Sequence, residues 1–131
     1  MAITWSNQYA TSVPEIDEHH KTIITQLNTL HDQMKQGKGR QEIIPTLEFL
    51  TTYTKMHFAA EEKLMQEYRC PVAELNKQQH TEFIQKVVAL GTRFEKEGAS
   101  PTLTLTIQHD LTDWILNHIL KIDLQLKNCV Q

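Results

Sequence analysis

Six side chains in this sequence have the types and spacing of metal ligands: His20, His57, Glu61, His80, His118 and Asp123. His57 and Glu61 are four residues apart, and so are Asn76 and His80. That spacing puts both members of a pair on one face of a helix. Burying imidazoles and carboxylates is costly unless they pair with one another or coordinate a cation. Four imidazoles and two carboxylates exceed what one structural zinc needs. They suit two hard-to-borderline ions, with the carboxylates as natural bridges. Imidazole and carboxylate with few thiols point to iron, with manganese and zinc as alternatives.

Such a set works only if the chain brings it together. The sequence has four glycines and four prolines, clustered at a few places. They divide it into an N-terminal arm, residues 1–17, and four long amphipathic segments spanning 18–128. Trp5, Tyr9 and Val13 read as anchors that lay the arm onto a body. Asp17 is placed to cap the first helix, which carries His20, Ile23, Ile24, Leu27, Leu30 and Met34 at three-four spacing and stops at "GKG", 37–39. The second segment, about 41–67, carries Leu47, Leu50, Tyr53, His57, Glu61 and Leu64, with Pro45 near its start. Pro71 opens the third, about 71–97, and Gly98 is its expected C-cap. Ser100 and Pro101 open the fourth as N-cap and first helical residue. "TLTLTI", 102–107, alternates like a strand, but a lone strand has no partner, so it reads as the first turns of helix four. Helices of about 30–40 Å joined by short connections must run antiparallel. The expected fold is all-α, an up-down-up-down four-helix bundle in a single domain over 1–131.

This topology aligns the candidate ligands in depth. His20 is near the start of helix one, His57 and Glu61 near the end of helix two. Asn76 and His80 are near the start of helix three, and His118 and Asp123 in the last third of helix four. All therefore fall in one layer at one end. His118 and Asp123 are separated by about 140° on a regular helix, so they would flank the apolar stripe. Any one of these residues alone reads more simply as an edge or core polar group. The depth-matched set favours a metal site. His19 and His109 read as surface residues and His31 as a polar layer or end contact. Trp114, Ile115 and Ile119 read as core that would also form an apolar wall beside His118.

Bulk properties exclude other classes. The chain has 131 residues, 40% hydrophobic and 22% charged, with a net charge of −3. No basic patch suggests nucleic acid. No segment reaches the length of a membrane span, and the start lacks a basic region followed by an apolar run, so no secretory signal is expected. Cys70 and Cys129 show no paired spacing, which argues against a disulfide and fits a reducing cytoplasm. Short loops and few exposed apolar positions fit a monomer.

The chain resembles the single-domain bacterial members of the hemerythrin family along essentially its whole length. The marks are "WSNQYATSVPEIDEHHK" at the front, "HFAAEE" at 57–62, "HTEF" at 80–83 and "WILNHILKID" at 114–123. The resemblance implies a diiron protein that binds O2 reversibly, for carriage, storage or delivery, and is not an enzyme. His20 and His57 would hold the iron with an open coordination site, and His80 and His118 the other. Glu61 and Asp123 would bridge them, beside an oxo or hydroxo bridge. Trp114, Ile115 and Ile119 match the wall of the O2 pocket. One position departs from the family pattern: Asn76 stands where a fifth histidine is expected, offering a weaker donor of shorter reach. That departure keeps a diiron oxidase or peroxidase in view as an alternative. An O2 or redox sensor module, or delivery to an O2-consuming enzyme partner, are further readings.

Overall fold

A computed structural model describes residues 3–98 and 100–130. Its body is four helices: α1 Pro14–Lys35, α2 Gly39–Glu67, α3 Ala73–Glu97 and α4 Pro101–Lys121. A 3-10 turn at Asn7–Tyr9 precedes them, and a 3-10 turn at Asp123–Gln125 leads into a short α5, Leu126–Cys129. The described residues contain no strand. None of their helices is long and apolar enough to cross a membrane. The expected all-α bundle is the observed one.

The ends of the helices follow local chemistry. Gly37 and Gly98 both adopt φ of 77°, which costs a glycine nothing, and both lie just past a helix end. Ser100 accepts a hydrogen bond from the Leu103 backbone N–H at 3.0 Å, and Pro101 follows at the first helical position. "TLTLTI" is helical, with Leu103, Thr104 and Ile107 buried. Two starts differ from expectation. α1 begins at Pro14 behind Val13, so the arm is shorter than 1–17. Asp17 lies within the helix, where its carboxylate accepts from the Thr11 N–H and hydroxyl, both at 2.8 Å, and ties the arm down. α3 begins at Ala73, two residues after Pro71. Pro45 lies beyond the first turn of α2, where its missing N–H leaves the Gln41 carbonyl without its helical partner.

The fourth segment does not run unbroken to 128. It ends at Lys121, and the chain turns through Ile122 into the 3-10 turn that carries Asp123. Tight 3-10 geometry changes the angular step per residue, so the straight-helix separation of His118 and Asp123 no longer applies.

Two apolar clusters fill the bundle. The larger includes Ile23, Leu27, Leu30, Leu50, Phe58, Phe83, Val87, Leu111 and Ile115, with Tyr9 from the arm. Asn28 holds the arm's start, exchanging hydrogen bonds with the Ile3 backbone at 2.8 and 2.7 Å. The smaller cluster comprises Ile16, Met65, Cys70, Ile122 and Leu126 at one end. Cys70 and Cys129 form a disulfide with Cα atoms 5.5 Å apart. This corrects the reading of two unpaired thiols and removes the cysteine ground for a reducing compartment. The break after Lys121 is what folds α5 back toward the α2–α3 turn and brings Cys129 to Cys70.

Candidate metal centre

Between the two apolar clusters lies a polar layer. It is set by register: Ile16 precedes His20 by one turn, Met65 follows Glu61 by one turn, and Ile122 follows His118 by one turn. All seven expected positions meet there. His20, His57, Glu61, Asn76, His80, His118 and Asp123 are each 4% exposed or less.

Their donor atoms fall into two groups that share members. One is His20, His57, Glu61 and Asp123; the other is Glu61, His80, His118 and Asp123. Asp123 spans the two, with Oδ2 3.0 Å from His20 Nε2 and Oδ1 3.1 Å from His118 Nε2. Glu61 does likewise, with Oε2 3.3 Å from His20 Nε2 and Oε1 3.4 and 3.2 Å from the Nε2 atoms of His57 and His80. His80 and His118 Nε2 are 3.1 Å apart. Asn76 Oδ1 is 3.0 Å from His118 Nε2. Neighbouring donors on one octahedral ion with bonds of about 2.1 Å lie about 3.0 Å apart, so these separations suit a shared cation.

Hydrogen bonding alone does not satisfy the layer. Both oxygens of Glu61, Oδ1 of Asp123, both ring nitrogens of His20 and the Asn76 amide nitrogen are enclosed, and among the described residues none of them makes a contact with hydrogen-bond geometry. Buried carboxylates are costly unless paired with a cation or protonated. Lone pairs converging from several directions are what a cation requires, and the donor set fits one.

In the metal-free protein a proton substitutes for that charge. Burial alone would lower the His20 imidazole, but the carboxylates of Asp123 and Glu61 outweigh it and push its pKa up to about 10. Burial, and then the Asp123 charge, hold the Glu61 carboxyl well above its usual range. Asp123 goes the other way despite burial, because His118 and His20 favour its ionised form. Burial and the nearby His20 keep His57 neutral well below the ordinary histidine value. Burial and His118 lower His80 to about 3.

Three of the four imidazoles are also held from behind, by residues sequence reasoning passed over. His19 Nδ1 lies 2.9 Å from His57 Nδ1. Glu62 Oε2 lies 3.0 Å from His80 Nδ1. Gln79 Oε1 lies 2.8 Å from His118 Nδ1. Each is the chain neighbour of a candidate ligand, about 100° further round its helix, and so reaches the ligand on the next helix: α1 to α2, α2 to α3, α3 to α4. The corresponding neighbour on α4 is the buried, apolar Ile119, and His20 Nδ1 has no hydrogen-bond partner among the described residues. His19 is therefore not a simple surface residue. The signal was its adjacency to His20, legible only once the helix-to-helix order is known. His109 is exposed, as expected, and His31 is half-buried.

Apolar rings complete the layer. Phe58 stacks on His80 with centroids 3.7 Å apart and planes 6° from parallel, and Trp114 stacks on His118 at 4.6 Å and 11°. Phe58 was not singled out from the sequence. Ile115 and Ile119 are buried in the larger cluster, and Trp114 is half-buried against it.

Comparison with known proteins agrees with this geometry. Residues 11–130 match the family model described as the hemerythrin HHE cation binding domain. A bacteriohemerythrin of Pseudomonas paraeruginosa is 33% identical over 117 residues, 89% of this chain and 74% of that one. One from Methylococcus capsulatus is 33% identical over 122 residues, 92% of this chain and 91% of that one. A crystal structure of wild-type hemerythrin superposes with a TM-score of 0.80 at 31% identity, covering 99% of this chain and 98% of the other.

Proposed function

The chain belongs to the hemerythrin family, and from that premise we propose that it is a diiron protein that binds O2 reversibly and is not an enzyme. The observation that carries the reading is the sharing of both carboxylates by two donor groups. Glu61 and Asp123 would hold two ions in common, with His20 and His57 as further ligands of one and His80 and His118 of the other. An iron pair bound there would supply the electrons for O2 binding. The protein's own part is to hold, orient and exclude water. The Nε2 atoms converge on Glu61 and Asp123, so His57, His80 and His118 have their Nδ1 atoms free to engage His19, Glu62 and Gln79, which fixes ring orientation and tautomer. The apolar clusters above and below keep protons and water from the layer, which favours reversibility over loss of a reduced oxygen product.

Asn76 bears on the alternative. An oxidase or peroxidase would be favoured by an open position where the fifth histidine is missing. Asn76 Oδ1, 3.0 Å from His118 Nε2 in a fully buried setting, supports instead an amide carbonyl filling that position. Ile115, Ile119 and Trp114 remain our candidates for the pocket wall. Trp114 stands against His118, and the open site is assigned to the His20–His57 half, so the two isoleucines are the members we place nearest to O2.

Iron analysis with optical spectra of the reduced protein before and after O2 tests this, with Asn76→His alongside. About two irons per chain and a coloured form that reverses on removing O2 are expected, with slower autoxidation in Asn76→His. Rapid irreversible oxidation with no coloured intermediate, or multiple turnover with peroxide, would overturn the reading.

A further inference from the structure

We propose that Glu62 is a positioning residue that restores, through His80, the electron donation that Asn76 withholds from the same half of the centre. The proposal rests on the two-ion reading above. The three outer partners differ in charge. His57 is held by an imidazole and His118 by an amide, both neutral, whereas His80 is held by a carboxylate at 3.0 Å. The one anionic partner thus stands on the half in which a neutral amide oxygen replaces an imidazole. A carboxylate accepting the Nδ1 proton makes the opposite nitrogen a stronger donor.

Two further contacts make the arrangement specific. Phe58 stacked flat on His80 leaves the ring free only in its own plane, and Glu62 fixes that remaining freedom. The Glu62 side chain is 30% exposed, and with His80, Lys55, Phe58 and Thr81 it lines an open cleft of about 240 Å³. Its Oε2 points inward to His80 Nδ1, while the rest of the side chain borders the cleft. Glu61, one residue earlier, is fully buried and faces the donor layer. Adjacent glutamates on one helix therefore take different tasks, one toward the ions and one behind a ligand.

The test is a metal titration with no O2 chemistry in it. Metal-free wild type, Glu62→Gln, Asn76→His and the double variant are titrated with Zn(II) against a chromophoric chelator, resolving the two binding equivalents. Glutamine keeps the acceptor oxygen and the volume and removes the charge. Glu62→Gln should weaken one equivalent by about 10-fold or more and leave the other within about 2-fold. In the Asn76→His background the same change should cost clearly less, because imidazole then supplies the missing donation. Glu62→Asp, which keeps the charge at shorter reach, should recover part of the loss. Equal weakening of both equivalents, no weakening, or the same loss in both backgrounds overturns the proposal. A wild-type chain that takes up a single equivalent overturns the two-ion reading and this proposal with it.

Discussion

Reducing the Cys70–Cys129 disulfide should destabilise the protein by an amount that the chain length between the cysteines sets. Their separation is 59 residues, and closing a loop of that length in the unfolded chain removes entropy equivalent to about 4 kcal/mol at 25 °C. Leu126 is fully buried and Ile122 is nearly so, so α5 stays docked when the link is cut. The loss then falls mainly on the unfolded state, where the freed chain gains entropy. A chain of 131 residues unfolds with an entropy of about 0.28 kcal/mol/K. The melting temperature should therefore drop by about 15 °C. Far-UV circular dichroism melts of the metal-free protein, with and without a dithiol reductant, measure this directly. Cys129→Ser should melt with the reduced wild type and ignore the reductant. Coincident melting temperatures for oxidised and reduced wild type would refute the reasoning, and would restore the two independent thiols that spacing in the sequence suggests.

The metal-free protein should lose stability in mild acid. His57 is kept neutral and His80 protonates only at about 3, whereas both take up a proton at about pH 6.5 when unfolded. The unfolded state therefore binds more protons between pH 6.5 and about 3, and stability falls as the pH drops through that window. His20 acts in the opposite sense: its contribution is complete below pH 6.5 and is lost as the pH rises toward 10. Urea midpoints across pH 4 to 10 should therefore fall on both sides of neutrality, and a flat profile would contradict the charge assignment. Ser100→Ala removes the bond to the Leu103 N–H and should cost about 1 kcal/mol, lowering the melting temperature by about 4 °C.

Period and punctuation made the bundle readable. Gly98, Ser100 and Pro101 end one helix and start the next for reasons that lie within a few residues, so local chemistry suffices there. Depth matching along antiparallel helices was enough to bring His20, His57, Glu61, Asn76, His80, His118 and Asp123 into one layer. What was not readable depended on departures from the ideal helix or on contacts between helices. A straight α4 would have kept Asp123 and His118 apart, and only the 3-10 turn after Lys121 lets one carboxylate face both His20 and His118. The same turn places Cys129, so the disulfide was hidden for the same reason. Asp17 looks like a cap because its type and position allow it, but Pro14 starts the helix earlier and the carboxylate goes to Thr11 instead. His19, Glu62 and Gln79 bear no periodic signal, since each is polar on a helix flank and ordinary until the neighbouring helix is present.

That flanking arrangement changes what would have to be copied to move this centre elsewhere. The paired residues are "HH" at 19–20 on α1, "EE" at 61–62 on α2 and "QH" at 79–80 on α3. In each pair one residue faces the middle of the layer and its neighbour steadies a ring on the following helix. Turning one helix about its own axis would misplace its own donor and unlock the next helix's donor together. A scaffold given only the inward-facing residues would carry imidazoles free to swivel, with the right composition and a loose grip. Transplanting the pairs as dipeptides, in helices of matched phase, is the minimal instruction set, and the unsteadied His20 is the natural place to begin improving on it.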